Sequence, residues 1–329
     1  MTSCKGGQEY MEKDISWKEY FRDDERYADV INGIGFGGRQ LVVGENLEEA
    51  DTQTIFGGWY GGSLGTSIRG RRKQMRRIRT RDMLRKVAFG VSFAIVGLEN
   101  QELVDYAMPL RCMIYDVGEY EKQAGQIRKM LRKQKGLQAE AYLYDFDKNN
   151  KLCPVVTFVL YGGKEPWDGP RTLHEMMDIE GLPKEMRELV ADYPLHLVDI
   201  RRLKDTDVFK TDVKHVFDFI RCAEDKKELF KLVQGDESFR CMEEDAYEVA
   251  TSYAGAVELI KVKDEYRKDG KIDMCQALKE LLADERMEGR KELALRMYLD
   301  GSLNIQMACV YLECTQEEFM GYVKTAEKR

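Results

Sequence analysis

The chain has 329 residues, of which 43% are hydrophobic and 34% charged, and its formal net charge is −7 at pH 7. This composition is typical of a globular protein rich in surface helix, and the length allows one large domain with an appendage. The charge argues against a surface that is basic throughout, and no apolar stretch reaches the ~20 residues of a membrane-spanning helix. The first twenty residues lack a signal-peptide core, and the eight cysteines form no Cys-x-x-Cys pair, so we expect a cytoplasmic protein with free thiols.

The hydrophobic pattern predicts a mixed α/β sheet domain that ends near residue 235. Its predicted elements are, in chain order, a helix over residues 15–32 that glycines end, a long loop over 44–70, strands over 83–90 and 91–99, a helix over 105–131, strands over 154–163 and 194–203, and a helix over 212–233. On the helix over 105–131, Met108, Cys112, Tyr115 and Val117 are predicted to lie close together.

Residues 236–329 are predicted to be helical. A long amphipathic stretch ends at Gly301, and two short helices follow. Asn304 is a candidate cap for the first short helix, and Thr315 with Glu318 is typical of a capping box for the second. The order resembles a helix-turn-helix over residues 291–329. A helical packing or dimerisation tail is the alternative, because the last helix carries no basic face.

One segment is strongly basic although the chain as a whole is acidic. Residues 68–86, "IRGRRKQMRRIRTRDMLRK", are rich in arginine and lysine, and Asp82 is their single acid. Such a run indicates either a solvated loop or a surface that binds phosphate.

Asp82 and Glu99 stand at or beside the ends of two consecutive predicted strands. A short turn between these strands would bring the two carboxylates together, and at about 4 Å they would repel by roughly 4 kcal/mol at an effective dielectric near 20. A divalent cation would remove this repulsion, and magnesium prefers one or two carboxylates together with waters and phosphate oxygens. Gln101 alternates onto the same strand face as Glu99 and is a candidate to orient a water or a phosphate oxygen. The alternative is that residues 91–99 form an ordinary core strand whose sequence becomes polar where the strand leaves the sheet.

Four ordered segments resemble a known family. They are "RDMLRKVAFG", "GLENQ", "DYAMPLRCMIYDVGEY" and "PVVTFVLYGGKEPWDGPRTL". They are similar to motifs of the recombination-promoting nuclease and transposase-like family, a branch of the PD-(D/E)xK nuclease superfamily. The resemblance covers roughly residues 15–225, and the C-terminal tail is also similar to the tail usual in that family.

The resemblance implies a restriction-endonuclease-like fold: a mixed sheet flanked by helices over residues 1–235, followed by a helical tail. The glycine-rich and basic loop predicted at 44–81 departs from the compact family pattern. It implies a Mg²⁺- or Mn²⁺-dependent DNA endonuclease linked to recombination or a mobile element. Asp82 and Glu99 would bind the metal, Asp29 is a weaker candidate ligand, and Arg111 and Tyr115 would line the site. The arginines expected to contact the DNA backbone are Arg71, Arg72, Arg76, Arg77 and Arg79.

Gln101 departs from the superfamily pattern, since most members have a lysine at this position. The positive charge of that lysine is absent here. The alternative is a non-catalytic DNA-binding or assembly protein that keeps the nuclease fold but not the activity. The sequence predicts no membrane association and leaves a homodimer open.

Overall fold

The computed structural model describes residues 17–50, 53–56, 77–80, 83–87, 92–98, 104–135 and 148–326. Residues 17–20 are helical, and they are followed by α1 Asp24–Phe36, α2 Met108–Lys135, α3 Lys184–Leu189, α4 Val213–Cys222, α5 Lys226–Gly235, α6 Glu244–Ala254, α7 Val257–Lys261, α8 Met274–Leu299, α9 Ile305–Leu312 and α10 Gln316–Ala326. The strands are β1 Leu47–Glu49, β2 Gln53–Phe56, β3 Arg77–Thr80, β4 Met83–Val87, β5 Ser92–Leu98, β6 Val155–Tyr161, β7 His196–Asp199, β8 Met242–Glu243, β9 Arg267–Lys268 and β10 Lys271–Ile272.

Five strands form the main sheet in the order β1-β4-β5-β6-β7. The first three pair antiparallel, whereas β5, β6 and β7 are parallel. Strand β5 leads through α2 into β6, because parallel neighbours need a crossover that a tight turn cannot supply. Two smaller sheets lie outside it: the β2–β3 hairpin and the three short strands β8, β10 and β9. The coarse prediction of a mixed α/β fold is confirmed.

The two faces of the main sheet are covered by different helices. Along β6, Phe158 and Leu160 belong to the apolar cluster that contains α1 and α4, whereas Val159 and Tyr161 pack with the first turns of α2. Side chains alternate between the faces of a strand, so β6 is buried on both sides, as its nearly continuous apolar sequence predicts.

Helix α1 begins where Asp23 accepts a hydrogen bond from the Arg26 amide, and it ends at Gly37 in the left-handed conformation. The glycine stop is as predicted, but the helix first passes through Gly33. A Cβ at Gly33 would overlap the ring of Phe209, so this glycine allows close packing of α1 rather than a turn.

The large core continues past residue 235, the predicted end of the sheet domain. Phe239, Tyr247, Ile272 and Met274 are fully buried in the same cluster as α1 and β6. The buried Arg26 of α1 forms ion pairs with Asp212 at the start of α4 (2.8 Å) and with Asp245 in α6. Residues up to Leu278 thus contribute to the core of the main sheet.

A second apolar cluster lies at the C-terminus. It contains Ala294, Ala308, Leu312, Phe319 and Val323 from the end of α8 and from α9 and α10. Both predicted caps are confirmed. Asn304 accepts from the Met307 amide at 2.8 Å, and Thr315 and Glu318 form a reciprocal capping box.

Four sequence predictions need correction. The helix predicted over 15–32 is interrupted by a turn at residues 21–23, after which Asp23 caps a new helix, α1. The loop predicted over 44–70, and over 44–81 in the domain assignment, contains β1, β2 and β3, whose three or four residues are too few to show a period. The helix predicted over 212–233 is two helices, because Asp225 caps a new one by accepting from two amides. Val117 does not join the apolar face of α2 and is 46% exposed. No helix in the described part of the chain has the length and apolarity to cross a membrane.

Candidate active site at the carboxyl ends of the parallel strands

The carboxyl ends of the parallel strands form one row across the sheet. Leu98 pairs with Tyr161, and Tyr161 pairs with Asp199. Ligand sites of α/β sheets form at this edge, because chain segments diverge there and leave a crevice. Met83, the first residue of β4, pairs with Ile95 and therefore lies near the same edge.

The three predicted catalytic residues adjoin this row in sequence. Asp82 directly precedes Met83, and Glu99 directly follows Leu98, with Gln101 two residues later. All three lie outside the described residues, so their roles stay predictions. The structure pairs β4 with β5 from Lys86–Ser92 to Met83–Ile95, so the pairing reaches the neighbour of Asp82 and stops four residues before Glu99.

Helix α2 starts beside this edge, and its first turns hold the predicted site-lining residues. Asp105 accepts from the Ala107 amide at 2.9 Å and forms an ion pair with Arg111. Arg111 also donates to the Tyr115 hydroxyl at 3.3 Å. Burial alone would lower the pKa of the Arg111 guanidinium, but the bonds to Tyr115 and Asp105 raise it above its ordinary value. Arg111 therefore keeps its charge while its side chain remains 39% exposed.

A compact aromatic cluster supports the start of α2. Tyr161 and Trp167 meet edge to face with ring centroids 5.3 Å apart, and both pack against Met108, Cys112 and Tyr115. The indole donates to the Gly169 carbonyl at 2.8 Å, and the Tyr161 hydroxyl donates to the Glu165 carbonyl at 2.8 Å. Each buried polar atom thus has a partner, which fixes the loop after β6.

The Tyr-Gly-Gly sequence at the end of β6 has a packing reason. A Cβ at Gly163 would overlap the Tyr161 hydroxyl, and one at Gly162 would come within 2.8 Å of the Tyr253 ring. Larger residues would force these aromatic side chains away. The carbonyl of Gly162 accepts from the buried Arg201 at 2.8 Å, and Arg201 also donates to the carbonyls of Ile220 and Tyr253.

Several polar groups at this edge were not predicted. Tyr106 is 58% exposed, and its hydroxyl donates to Asp168 at 2.9 Å, a bond that raises the pKa of Tyr106. Asp199, at the end of β7, accepts from Arg202 at 3.1 Å. The signal for Asp105 was present, since aspartate is favoured in turns, where its side chain accepts a hydrogen bond from the amide two residues on. The pairs with Asp168 and Arg202 depend on loop conformations that no local pattern encodes.

Asp29 lies on the other face of the sheet from Arg111 and Tyr115. It is 2% exposed, and its carboxylate accepts from the amides of Lys210 and Thr211 and from the Thr211 hydroxyl at 2.7–2.9 Å. These bonds fix the segment before α4 onto α1. The carboxylate is thus engaged in a structural contact, and a metal-binding role for Asp29 stays a prediction.

The predicted DNA-contacting arginines fall on or before β3. Arg77 and Arg79 are in this strand, which pairs with β2, and β2 packs against α2. The side chains of Arg77 and Arg79, and all of Arg71, Arg72 and Arg76, lie outside the described residues. Arg85, near the end of the same basic run, is 6% exposed and forms an ion pair with Asp24 of α1 at 3.0 Å. That arginine joins β4 to α1 instead of facing solvent.

Within the described ranges, no three histidine, cysteine, aspartate or glutamate side chains converge as a metal site would require. The predicted metal ligands, Asp82 and Glu99, lie outside these ranges, and their carboxylate oxygens are donors that magnesium prefers. A metal site formed by them stays a prediction.

Comparisons with known proteins give one match. The family model described as "Putative transposase, YhgA-like" matches residues 79–244, about half of the chain. Neither the curated proteins nor the solved structures contain a match. The matched range begins within β3 and includes the described sheet edge, α2 and the Tyr-Gly-Gly loop. The chain therefore belongs to the family of YhgA-like putative transposases, which is the recombination-promoting nuclease family of the PD-(D/E)xK nuclease superfamily.

Proposed function

We propose that the protein is a metal-dependent DNA endonuclease that acts in recombination or for a mobile element. The observation that carries the proposal is the row formed by Leu98, Tyr161 and Asp199, which Glu99 directly follows in the chain. Met83, the neighbour of Asp82, lies near the same edge. Family membership supports the mobile-element context.

We further propose that the fold is restriction-endonuclease-like. The main sheet is mixed and has helices on both faces, as the sequence resemblance requires. Helix α1 precedes three antiparallel strands, and α2 connects the last of them to the parallel strand β6.

The proposed ligands of a magnesium or manganese ion are Asp82 and Glu99. A bound ion would stabilise the charge that develops on the phosphate and would lower the pKa of a coordinated water. Gln101 is proposed to orient the attacking water by hydrogen bonding. Arg111, charged and part-exposed at the start of α2, is proposed to donate to a phosphate oxygen. Phosphodiester hydrolysis is among the slowest reactions in water, so most of the barrier reduction must come from such electrostatic stabilisation.

The test is cleavage of supercoiled plasmid with Mg²⁺ or Mn²⁺ and with a chelator. We expect wild-type protein to nick DNA and the Asp82→Asn and Glu99→Gln variants to lose at least about 100-fold in rate. Glu180→Gln removes an exposed acid on the loop before α3 and is the matched control, expected to keep full activity. Equal trace nicking by all four proteins would identify a contaminant and would favour the alternative, a DNA-binding or assembly protein without catalysis.

Gln101 offers a sharper test of the site. Gln101→Lys supplies the charge that most superfamily members carry at this position, so we expect it to retain or raise the cleavage rate, whereas Gln101→Ala should lower it. The measurement is single-turnover cleavage at saturating metal, with folding checked by circular dichroism. A folded lysine variant as inactive as the alanine variant would remove Gln101 from the site.

A further inference from the structure

The second half of α2 carries an unusual concentration of one charge. Between residues 122 and 135 the sequence has six lysines and arginines and no acidic residue. The other long helix, α8, has five acidic and five basic residues between 279 and 296, so a long exposed helix in this chain is not basic by default. The protein as a whole has a net charge of −7, whereas this segment is positively charged.

This part of α2 extends past the sheet. Gln123 bonds to the backbone of Cys153 at 2.8 and 3.2 Å, and the Tyr120 hydroxyl accepts from the Val155 amide, so α2 passes the amino end of β6 near residue 123. The remaining twelve residues continue for about 18 Å at 1.5 Å per residue. Arg128, Lys129 and Lys133 on this extension are exposed.

These three cations have no ion-pair partner among the described residues. Cations near a helix C-terminus also stabilise the helix dipole, but that effect is confined to the last turn. Arg128 and Lys129 lie nearly two turns before Lys135, so the dipole does not account for them. A polyanion is the partner that fits such a surface.

We infer that Arg128, Lys129 and Lys133 form a second contact surface for duplex DNA, remote from the cleavage site. This inference rests on the proposed function, since Arg111 at the other end of α2 marks that site. Along the helix, Arg128 and Lys133 lie about 26 and 33 Å from Arg111, which corresponds to roughly 8–10 base pairs at 3.4 Å per pair. The enzyme therefore holds DNA on one side of the cut over about one helical turn.

The experiment measures binding of fluorescent duplexes of 8, 16 and 24 base pairs by anisotropy, with Ca²⁺ replacing Mg²⁺ to block turnover. The variant is Arg128→Gln/Lys129→Gln/Lys133→Gln. The matched control, Lys231→Gln/Lys279→Gln/Arg286→Gln, removes three exposed helical cations elsewhere. We expect the α2 variant to bind the 24-base-pair duplex about 10- to 100-fold more weakly and to flatten the log–log salt slope by about 0.9 per lost phosphate contact. We expect it to match wild type on 8 base pairs, and we expect the control to match wild type on all three.

Three results would overturn the inference. An unchanged salt slope on 24 base pairs removes the surface from DNA binding. An equal loss on 8 and 24 base pairs means that the cations act near the cleavage site or only through total charge. Loss of binding to phosphatidylcholine–phosphatidylglycerol vesicles with DNA binding intact assigns the surface to a membrane. Plasmid cleavage by Glu99→Gln reports separately on the proposed function, because that variant should lose turnover and still bind the long duplex.

Discussion

The larger apolar core draws side chains from Trp17 to Leu278, whereas the C-terminal core draws its buried side chains from between Ala294 and Val323. In the larger core, Arg26 bonds with Asp212 and Asp245, which are 186 and 219 residues away. In the C-terminal core, the caps of α9 and α10 join residues three apart. Helix α8 contributes to both, with Met274 in the first and Ala294 in the second.

The comparison shows that the larger core is stabilised by contacts between distant segments, whereas the C-terminal core is stabilised by contacts between neighbouring ones. Local contacts close short loops and lose little chain entropy, so the C-terminal helices can form from their own sequence signals. The larger core gains its stability only when distant segments have assembled. Destabilising substitutions in the larger core should therefore unfold the main sheet, whereas those in the C-terminal core should unfold only the C-terminal helices.

The largest expected effect is that of truncation. A chain cut after Gly235 loses Phe239, Tyr247, Ile272 and Met274, each fully buried, and each such side chain contributes about 1.5–3 kcal/mol. This sum is comparable with the whole stability of a domain, about 5–15 kcal/mol. We expect this chain to show no cooperative melting, whereas a chain cut after Glu288 keeps the larger core and should melt cooperatively. Scanning calorimetry of both tests this, and a stable protein ending at 235 would favour the domain boundary predicted from sequence.

Replacement of Arg26 should have the next largest effect. Arg26→Met leaves Asp212 and Asp245 without their cation, and removing one partner of a buried pair costs about 3–5 kcal/mol. We expect the lower end, about 3 kcal/mol, because Asp245 is 39% exposed. Urea unfolding gives the measurement. Arg22→Ala, an exposed arginine one turn earlier, is the control and should change the unfolding free energy by no more than about 0.5 kcal/mol.

The smallest expected effect is a pH dependence confined to the C-terminal unit. The backbone hydrogen bond from Thr315, together with that from its hydroxyl, lowers the pKa of Glu318. A carboxyl whose pKa is lower in the folded state stabilises the fold above its unfolded pKa, and this stabilisation is lost as the pH falls through the folded pKa. We therefore expect α10 to fray below about pH 4.5 while the larger core is unaffected by this group.

Amide signals of α10 followed by NMR between pH 6 and 3 test this, with Glu317→Gln as the control for an exposed acid in the same turn. Glu318→Gln should remove the local transition. A transition that persists unchanged in Glu318→Gln would assign it to another group.

Much of the fold was predictable where the signal was local or strongly patterned. The apolar runs gave β4, β5 and β6, and aspartate and glycine signals gave the ends of α1. β1, β2 and β3 were missed because strands of three or four residues are too short to show a period of their own. β1 forms by pairing with β4, and β2 and β3 pair with each other. Arg111 and Tyr115 were predicted to line the candidate site; that role stays a prediction, and the structure joins the two side chains by a hydrogen bond. The pairs of Tyr106 with Asp168 and Arg202 with Asp199 were not predicted.

The sequence by itself determined the family, the strands β4, β5 and β6 and the caps of the C-terminal helices, because each of these depends on residues near one another in the chain. The tertiary structure alone decided that Asp29 and Arg111 lie on opposite faces of the sheet and that Arg85 joins β4 to α1. It also decided that the core extends to Leu278. The physical reason is that the long-range partners of a side chain depend on which helices and strands pack together. The residues next to it in the sequence do not specify that packing.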